Sequence, residues 1–182
     1  MLGLKRGTVE LFPHQIAWEQ EAADTIAQLR CWMGPLLLDA RHVGSTAIRS
    51  IAAKPIIDIA VGIEDFDALH RMVPALEEKG IVYRPVDDRP DHRLFVKGDF
   101  AQDTRTHHIH VVRYGGEEWQ QYLLFCGYLN AHPQQAAEYE ALKYRLCAQF
   151  AQDRNAYTAG KQEMIDEILR RAKRWANVQT IK

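Results

Sequence analysis

The sequence predicts an α+β fold: a small mixed β-sheet preceded by one helix and followed by three. Three observations lead there. Strand-like stretches rich in β-branched residues are confined to about residues 36–114. One helical pattern stands before them, and after Gly115-Gly116 every periodicity is helical. Strands first and helices last is the α+β layout. No linker calls for a second domain, so residues 1–182 read as one unit, with a sheet core at about 36–114 and a helical part at about 117–176.

From Pro13 to about Met33, Ile16, Trp18, Ala22, Ile26, Leu29 and Met33 recur at helical spacing, and Gly34-Pro35 stops the run. "LLLDARHV" (36–43) reads as a strand, and Ser45 to Ala52 as a brief helix. "IIDIAVGI" (56–63) is a strand with Pro55 at its edge. Asp65 to Lys79 reads as a helix closed by Gly80. "IVYRP" (81–85), "HRLFVKG" (92–98) and "THHIHVVRY" (106–114) are further strands. The closing helices are expected from about Glu117 to Ala131, Pro133 to Phe150 and Arg154 to Trp175.

Apolar residues make up 47% of the chain and charged residues 26%, an ordinary globular balance. A formal net charge of -1 argues against non-specific nucleic-acid binding but leaves room for a local basic pocket. Three cysteines far apart fit a reducing compartment. The first residues lack the apolar core of a signal peptide, and no apolar run approaches a membrane span. The expectation is a cytoplasmic protein.

Asp58 poses the main question, because a carboxylate inside an apolar strand costs several kcal/mol of desolvation (roughly, by transfer data) unless something pairs with it. Period two sets Asp58 and Ala60 on one face and Ile57, Ile59 and Val61 on the other. Its partner is either a base such as Lys54 or a functional cation or phosphate. The same period places His108 and His110 on one face, and H-x-H on a strand can hold a zinc or manganese ion. A hydrogen-bonded histidine pair is the plainer alternative. Gly44-Ser45-Thr46 follows a strand and offers backbone N–H groups and a hydroxyl to phosphate, unless Ser45 is simply a cap. Lys54, Arg93, Lys97, Arg105, Lys143 and Lys161 are the scattered cations, with Arg93, Phe95 and Lys97 sharing a strand face. Tyr139/Lys143 and Tyr157/Lys161 are i,i+4 pairs, and a solvated helix face is the ordinary reading of such lysines.

"HVGSTAIRSIAAKPIIDIAV", "RLFVKG", "RTHHIHVV", "YLNAHP", "YEALKYRL" and "YTAGK" occur in an order that resembles the GrpB family, over about residues 10 to 172. That family looks like a branch of the DNA polymerase β-like nucleotidyltransferases, with members fused to dephospho-CoA kinase. The resemblance implies a strand, a G-S turn and a strand bearing metal-binding acids, matched by Gly44-Ser45 and Asp58. The second acid would stand at position 60, which is Ala60, and histidines occupy the strand expected to carry the third.

Asp58, His108 and His110 would then form a mixed oxygen and nitrogen site that favours zinc or manganese over magnesium. Asp58, Lys54 and Arg105 are the expected catalytic residues. Gly44, Ser45, Thr46, Arg93, Lys97, Lys143 and Lys161 are the expected phosphate ligands. The expected function is metal-dependent nucleotidyl or phosphoryl transfer on a nucleotide or other phosphorylated small molecule. The alternative is a non-catalytic nucleotide- or metal-binding accessory module. The chain departs from the family at Arg49-Ser50, where Pro-Gly is usual, and at Cys126-Gly127, where Arg-Asp is usual. The first departure is expected to alter the loop beside the phosphate site or add a cation to it.

Overall fold

A computed structural model describes residues 1–180. Its order is β1 (Leu4–Lys5), α1 (Ile16–Met33), β2 (Asp39–Val43), β3 (Ile57–Ile63), α2 (Phe66–Glu77), β4 (Val82–Tyr83), β5 (His92–Lys97), β6 (Thr104–Arg105), β7 (His107–Arg113), α3 (Glu117–Ala131), α4 (Pro133–Gln149), α5 (Arg154–Ala159) and α6 (Gln162–Thr180). The main sheet has the order β2-β3-β7-β5-β4. Only β3 and β7 are parallel, so the sheet is mixed, as expected. A crossover long enough to join them is supplied by everything from α2 to β6.

Alternation along the strands separates the two faces. Ile57, Ile59 and Val61 of β3, Ile109 and Val111 of β7 and Phe95 of β5 meet Trp18, Ala22, Leu29 and Met33 of α1 and Leu69 and Leu76 of α2 in the main core. His107 points into this layer and bonds Thr25 Oγ1 of α1 at 3.2 Å. The opposite face is packed with apolar side chains at one end only. There Val43, Ala60 and Val112 pack under Trp119 and Cys126 of α3. The helices α3, α4 and α6 bury their own cluster with Ile48 and Ile51. The remainder of this face carries polar residues around a cavity walled by Arg154, Tyr157 and Lys161.

Three expectations are corrected. Residues 45–52 hold a single 3-10 turn at Ser45–Ala47, because the chain is then pinned by Ala52, whose N–H donates to Glu140 Oε1 and whose carbonyl accepts from Lys143 Nζ. The helix expected from Arg154 to Trp175 is two helices, separated at Gly160-Lys161. A Cβ on Gly160 would lie 2.6 Å from Leu146 Cδ2, so close packing on α4 fixes this corner. The first helix starts at Ile16, not Pro13, since Phe12 is held in a bridge with Ala53. The two-residue strands β1 and β6 were too short to show a pattern.

Candidate functional site

Register brings the chemistry together. Asp58 lies opposite His108 across the parallel β3/β7 pair, and Ala60 opposite His110. Asp58 Oδ1 is 3.2 Å from His108 Nδ1 and 3.6 Å from His110 Nε2. The ligand atoms of the three residues all lie within 4.8 Å of one another. Burial opposes ionisation of Asp58, but hydrogen bonds from His108 and His110 prevail and hold its carboxyl well below the usual range. Burial is the main cause of a lowered His108 pKa, against the opposing pull of Asp58. No ion pair joins Asp58 to Lys54 among the described residues, so the simple structural pairing is not what holds the carboxylate.

Gly44 sets the approach of β2 to this carboxylate. It has φ of 70°, and a Cβ there would stand 2.4 Å from Asp58 Oδ2. Glycine is required both by the backbone conformation and by the closeness of Asp58.

Around the triad a cavity of about 180 Å³ is lined by Ser45, Thr46, Lys54, Asp58, His108, His110, Arg154, Tyr157 and Lys161. Lys161 Nζ is 4.6 Å and Lys54 Nζ 5.2 Å from the Tyr157 ring centroid, one aromatic ring serving two cations. Burial, then the neighbouring positive charges, pushes Lys54 down to about 8. Lys161 is likewise lowered to about 8, burial again leading.

Several expected ligands are placed differently. Arg93 and Lys97 lie opposite Val111 and His107, on the face covered by α1 and α2, away from Asp58. Period two showed that they share a face but not which one. Arg93 sits over the Phe66 ring at 5.2 Å, with Nη1 donating to the Arg89 carbonyl at 2.9 Å. Thr46 lines the cavity, but it is 1% exposed and its hydroxyl meets His42 Nε2 at 2.9 Å. Its part is to fix the turn. The turn at Ser45 is too short to act as a helix terminus, so Ser45 contributes its hydroxyl, which is bonded to Tyr139. Arg105 is separated from the triad and faces a second cavity, bordered on one side by His108. Arg49 adds no cation here, because it is bonded through Nε and Nη2 to Glu19 of α1 at 2.9 Å. Cys126 is buried, its Sγ 3.6 Å from the Gly44 carbonyl.

Lys143 is 1% exposed and does not line the triad cavity. It supports the floor by donating to the Ala52 carbonyl, and burial lowers it to about 7, followed by the charges of Lys161 and Lys54. The unfolded chain therefore binds more protons than the folded one between about pH 7 and pH 10, and stability should rise with pH across that window. One such lysine contributes at most about 1.4 kcal/mol per pH unit. Denaturant melts at pH 7, 8 and 9 are expected to show the rise, and Lys143→Met to reduce its slope, the remainder coming from Lys54 and Lys161. A slope unchanged by the substitution would remove Lys143 as a source.

Sequence reasoning missed His92. Its Nε2 lies 3.2 Å from His110 Nδ1, and burial, then Arg89 and other cations, lowers it to about 3. It therefore stays neutral and orients the His110 ring. The signal was the alternation His92, Leu94, Val96 along one side of β5, but assigning that side to His110 needed the antiparallel register. Arg154 was also missed, because it comes from the start of α5, far along the chain. Tyr122 of α3 covers His110, with centroids 5.1 Å apart.

Fold and site together define a one-sided mixed sheet with a histidine-carboxylate cluster beneath a helical wall. The family model described as GrpB protein matches residues 8–171, and the chain belongs to the GrpB family. It is 36% identical to the Glutamate-rich protein GrpB of Alkalihalophilus pseudofirmus over 93% of this chain and 98% of that one. The crystal structure of conserved protein GrpB from Enterococcus faecalis superposes with a TM-score of 0.84 at 28% identity, covering 91% of this chain and 99% of that one. A dephospho-CoA kinase of Mycolicibacterium paratuberculosis is 30% identical over 96% of this chain, which spans 48% of its length. Among the described residues no helix is long and apolar enough to cross a membrane.

Proposed function

We propose that this chain binds one transition-metal ion at Asp58, His108 and His110 and carries out phosphoryl or nucleotidyl transfer on a nucleotide or other phosphorylated small molecule. The observation that carries the reading is the convergence of these three ligands with Lys54, Lys161 and Arg154 in one small pocket. The donor set fits such an ion. Bonds of about 2.0–2.1 Å in a tetrahedral site put ligand atoms about 3.3–3.5 Å apart. The carboxylate-to-imidazole separations of 3.2 and 3.6 Å already bracket that value. Nitrogen ligands favour zinc or manganese over magnesium. His92 beside His110 Nδ1 is the kind of outer partner that fixes the tautomer of a ligating histidine.

When bound, the ion would polarise a phosphoryl oxygen and acidify a bound water. The protein side chains supply the rest. Lys54, Lys161 and Arg154 neutralise the non-bridging phosphate oxygens. Lys54 Nζ, lowered to about 8, exchanges a proton close to neutral pH and is the group placed to give or take one. Ser45 offers a hydroxyl at the same wall. Ala60 is buried under α3, so the position of a second acid is filled by packing and the site suits one metal rather than two.

That same packing favours a second reading, a non-catalytic nucleotide- or metal-binding accessory module. Incubation of the protein with zinc or manganese and a panel of nucleoside triphosphates separates the two. Turnover is expected in the wild type and its loss, by about a hundredfold or more for an acid-base group, in Lys54→Met. Ligand-induced stabilisation with no product from any substrate would establish the accessory reading.

A further inference from the structure

Next to the triad pocket, and sharing His108, Arg154 and Thr158 with it, lies a larger cavity of about 620 Å³. Four arginines from four separate parts of the chain line it: Arg6 just after β1, Arg84 after β4, Arg105 of β6 and Arg154 of α5. Arg105 is 8% exposed, donates from Nη1 to the Thr104 carbonyl at 2.9 Å, and lies 4.6 Å over the Phe100 ring. Burial lowers its pKa most, Asp103 opposes that, and Arg6, Arg84 and Arg154 all add to the lowering, so each of the other three charges acts on Arg105.

Their compensation is incomplete. Arg105 reaches Asp103 at 3.5 Å and Arg84 reaches Asp87 at 3.7 Å. Arg6 and Arg154 have no ion-pair partner among the described residues. Asp153, next to Arg154, is turned to cap α5 through Ala156 N–H at 3.0 Å. Like charges gathered around a concave, partly buried wall are unfavourable unless an anion joins them, and guanidinium groups suit phosphate oxygens through paired N–H donors.

Size points the same way. The triad pocket, at about 180 Å³, has room for a phosphoryl group but little more, so the body of a substrate must extend elsewhere. The adjoining cavity has no aromatic wall among its lining residues apart from the imidazole of His108, and so lacks the stacking platform a nucleobase commonly uses.

We propose that the arginine-lined cavity is a polyphosphate subsite. It takes the remaining phosphates of a di- or triphosphate chain whose terminal phosphoryl group lies at Asp58, His108 and His110. This rests on the reading of the triad as the reacting centre and specifies its substrate class: a compound bearing a phosphoanhydride chain, free or attached to a nucleoside.

The test is calorimetric titration of the metal-free full chain at low salt with sodium orthophosphate, sodium tripolyphosphate and adenosine triphosphate. Tripolyphosphate is expected to bind at least tenfold more tightly than orthophosphate. In Arg6→Gln, and in the Arg6→Gln/Arg84→Gln double variant, which line this cavity and not the triad pocket, its affinity is expected to fall about tenfold or more, as for loss of charged hydrogen bonds. Both side chains are at least partly exposed, so folding should survive, and an unchanged melting temperature checks this. Affinities for adenosine triphosphate and tripolyphosphate within a factor of a few of each other would assign recognition to the chain itself. Adenosine triphosphate binding more than tenfold tighter would place the nucleoside in the cavity and overturn the proposal. So would tripolyphosphate binding unaffected by the arginine substitutions. Zinc titration of the same variants keeps the two readings apart: zinc binding retained with tripolyphosphate lost supports the assignment of the arginines. Zinc binding absent in the wild type, with arginine-dependent tripolyphosphate binding present, would remove the triad reading and keep the subsite.

Discussion

Gly44→Ala is expected to destabilise the protein by about 3 kcal/mol or more, the sum of a strained left-handed backbone and a steric overlap. The overlap is specific. The new methyl would meet Asp58 Oδ2 at 2.4 Å and Asp58 Cβ and Cγ at 2.9 Å, and β3 is paired on both sides and cannot retreat. For a chain of this size each kcal/mol lowers the melting temperature by about 2–4 °C. Removing the carboxylate should restore part of the loss, so Gly44→Ala/Asp58→Ala is expected to be more stable than the sum of the single effects by about 1 kcal/mol or more. Additive losses in this double-mutant cycle would show that the glycine serves its own backbone alone and not the position of Asp58.

Asp58→Asn is expected to separate stability from binding. Asparagine is nearly the same shape, and its Oδ1 can still accept from His108 Nδ1, now at 3.2 Å from the carboxylate. Removing a charge from a buried strand relieves desolvation. The imidazoles that hold the carboxyl below its usual range lose their charged acceptor, which works the other way, so the metal-free variant should lose only about 1–2 kcal/mol. Its response to zinc should nevertheless vanish. Wild type at a free zinc concentration a hundred times the dissociation constant should gain about 2.7 kcal/mol, an upward shift of several degrees. Loss of about 3–5 kcal/mol without metal, as when a buried ion pair is broken, combined with an intact zinc response, would show that Asp58 is a structural charge.

What the sequence revealed and what it hid follow from the range of the interactions. Asp58, His108 and His110 were legible because period two is a local property, and the family resemblance implied that their strands are neighbours. Arg93 and Lys97 were expected among the phosphate ligands because period two puts them on one face but is blind to which; only the register of β5 on β7 supplies it. His92 was invisible for the same reason, lying 18 residues from the histidine it supports. The arginine cavity joins residues 6, 84, 105 and 154, and no spacing rule connects positions so distant. The break at Gly160-Lys161 was hidden because the helical pattern continues through it, and the close contact of Gly160 with Leu146 that turns the chain is tertiary.

Zinc titration of metal-stripped protein, followed by calorimetry at pH 7.5, tests the metal assignment most directly. One ion per chain is expected for wild type. In His110→Ala the affinity should fall by more than the 10–100-fold that loss of an outer partner causes, because a direct ligand is removed. Binding should also weaken in acid, since protons compete with the ion for the imidazole nitrogens, and burial of His108 moves that loss below the ordinary imidazole range. Equal affinity and stoichiometry in wild type and His110→Ala, or no binding by either, would contradict a metal centre at Asp58, His108 and His110.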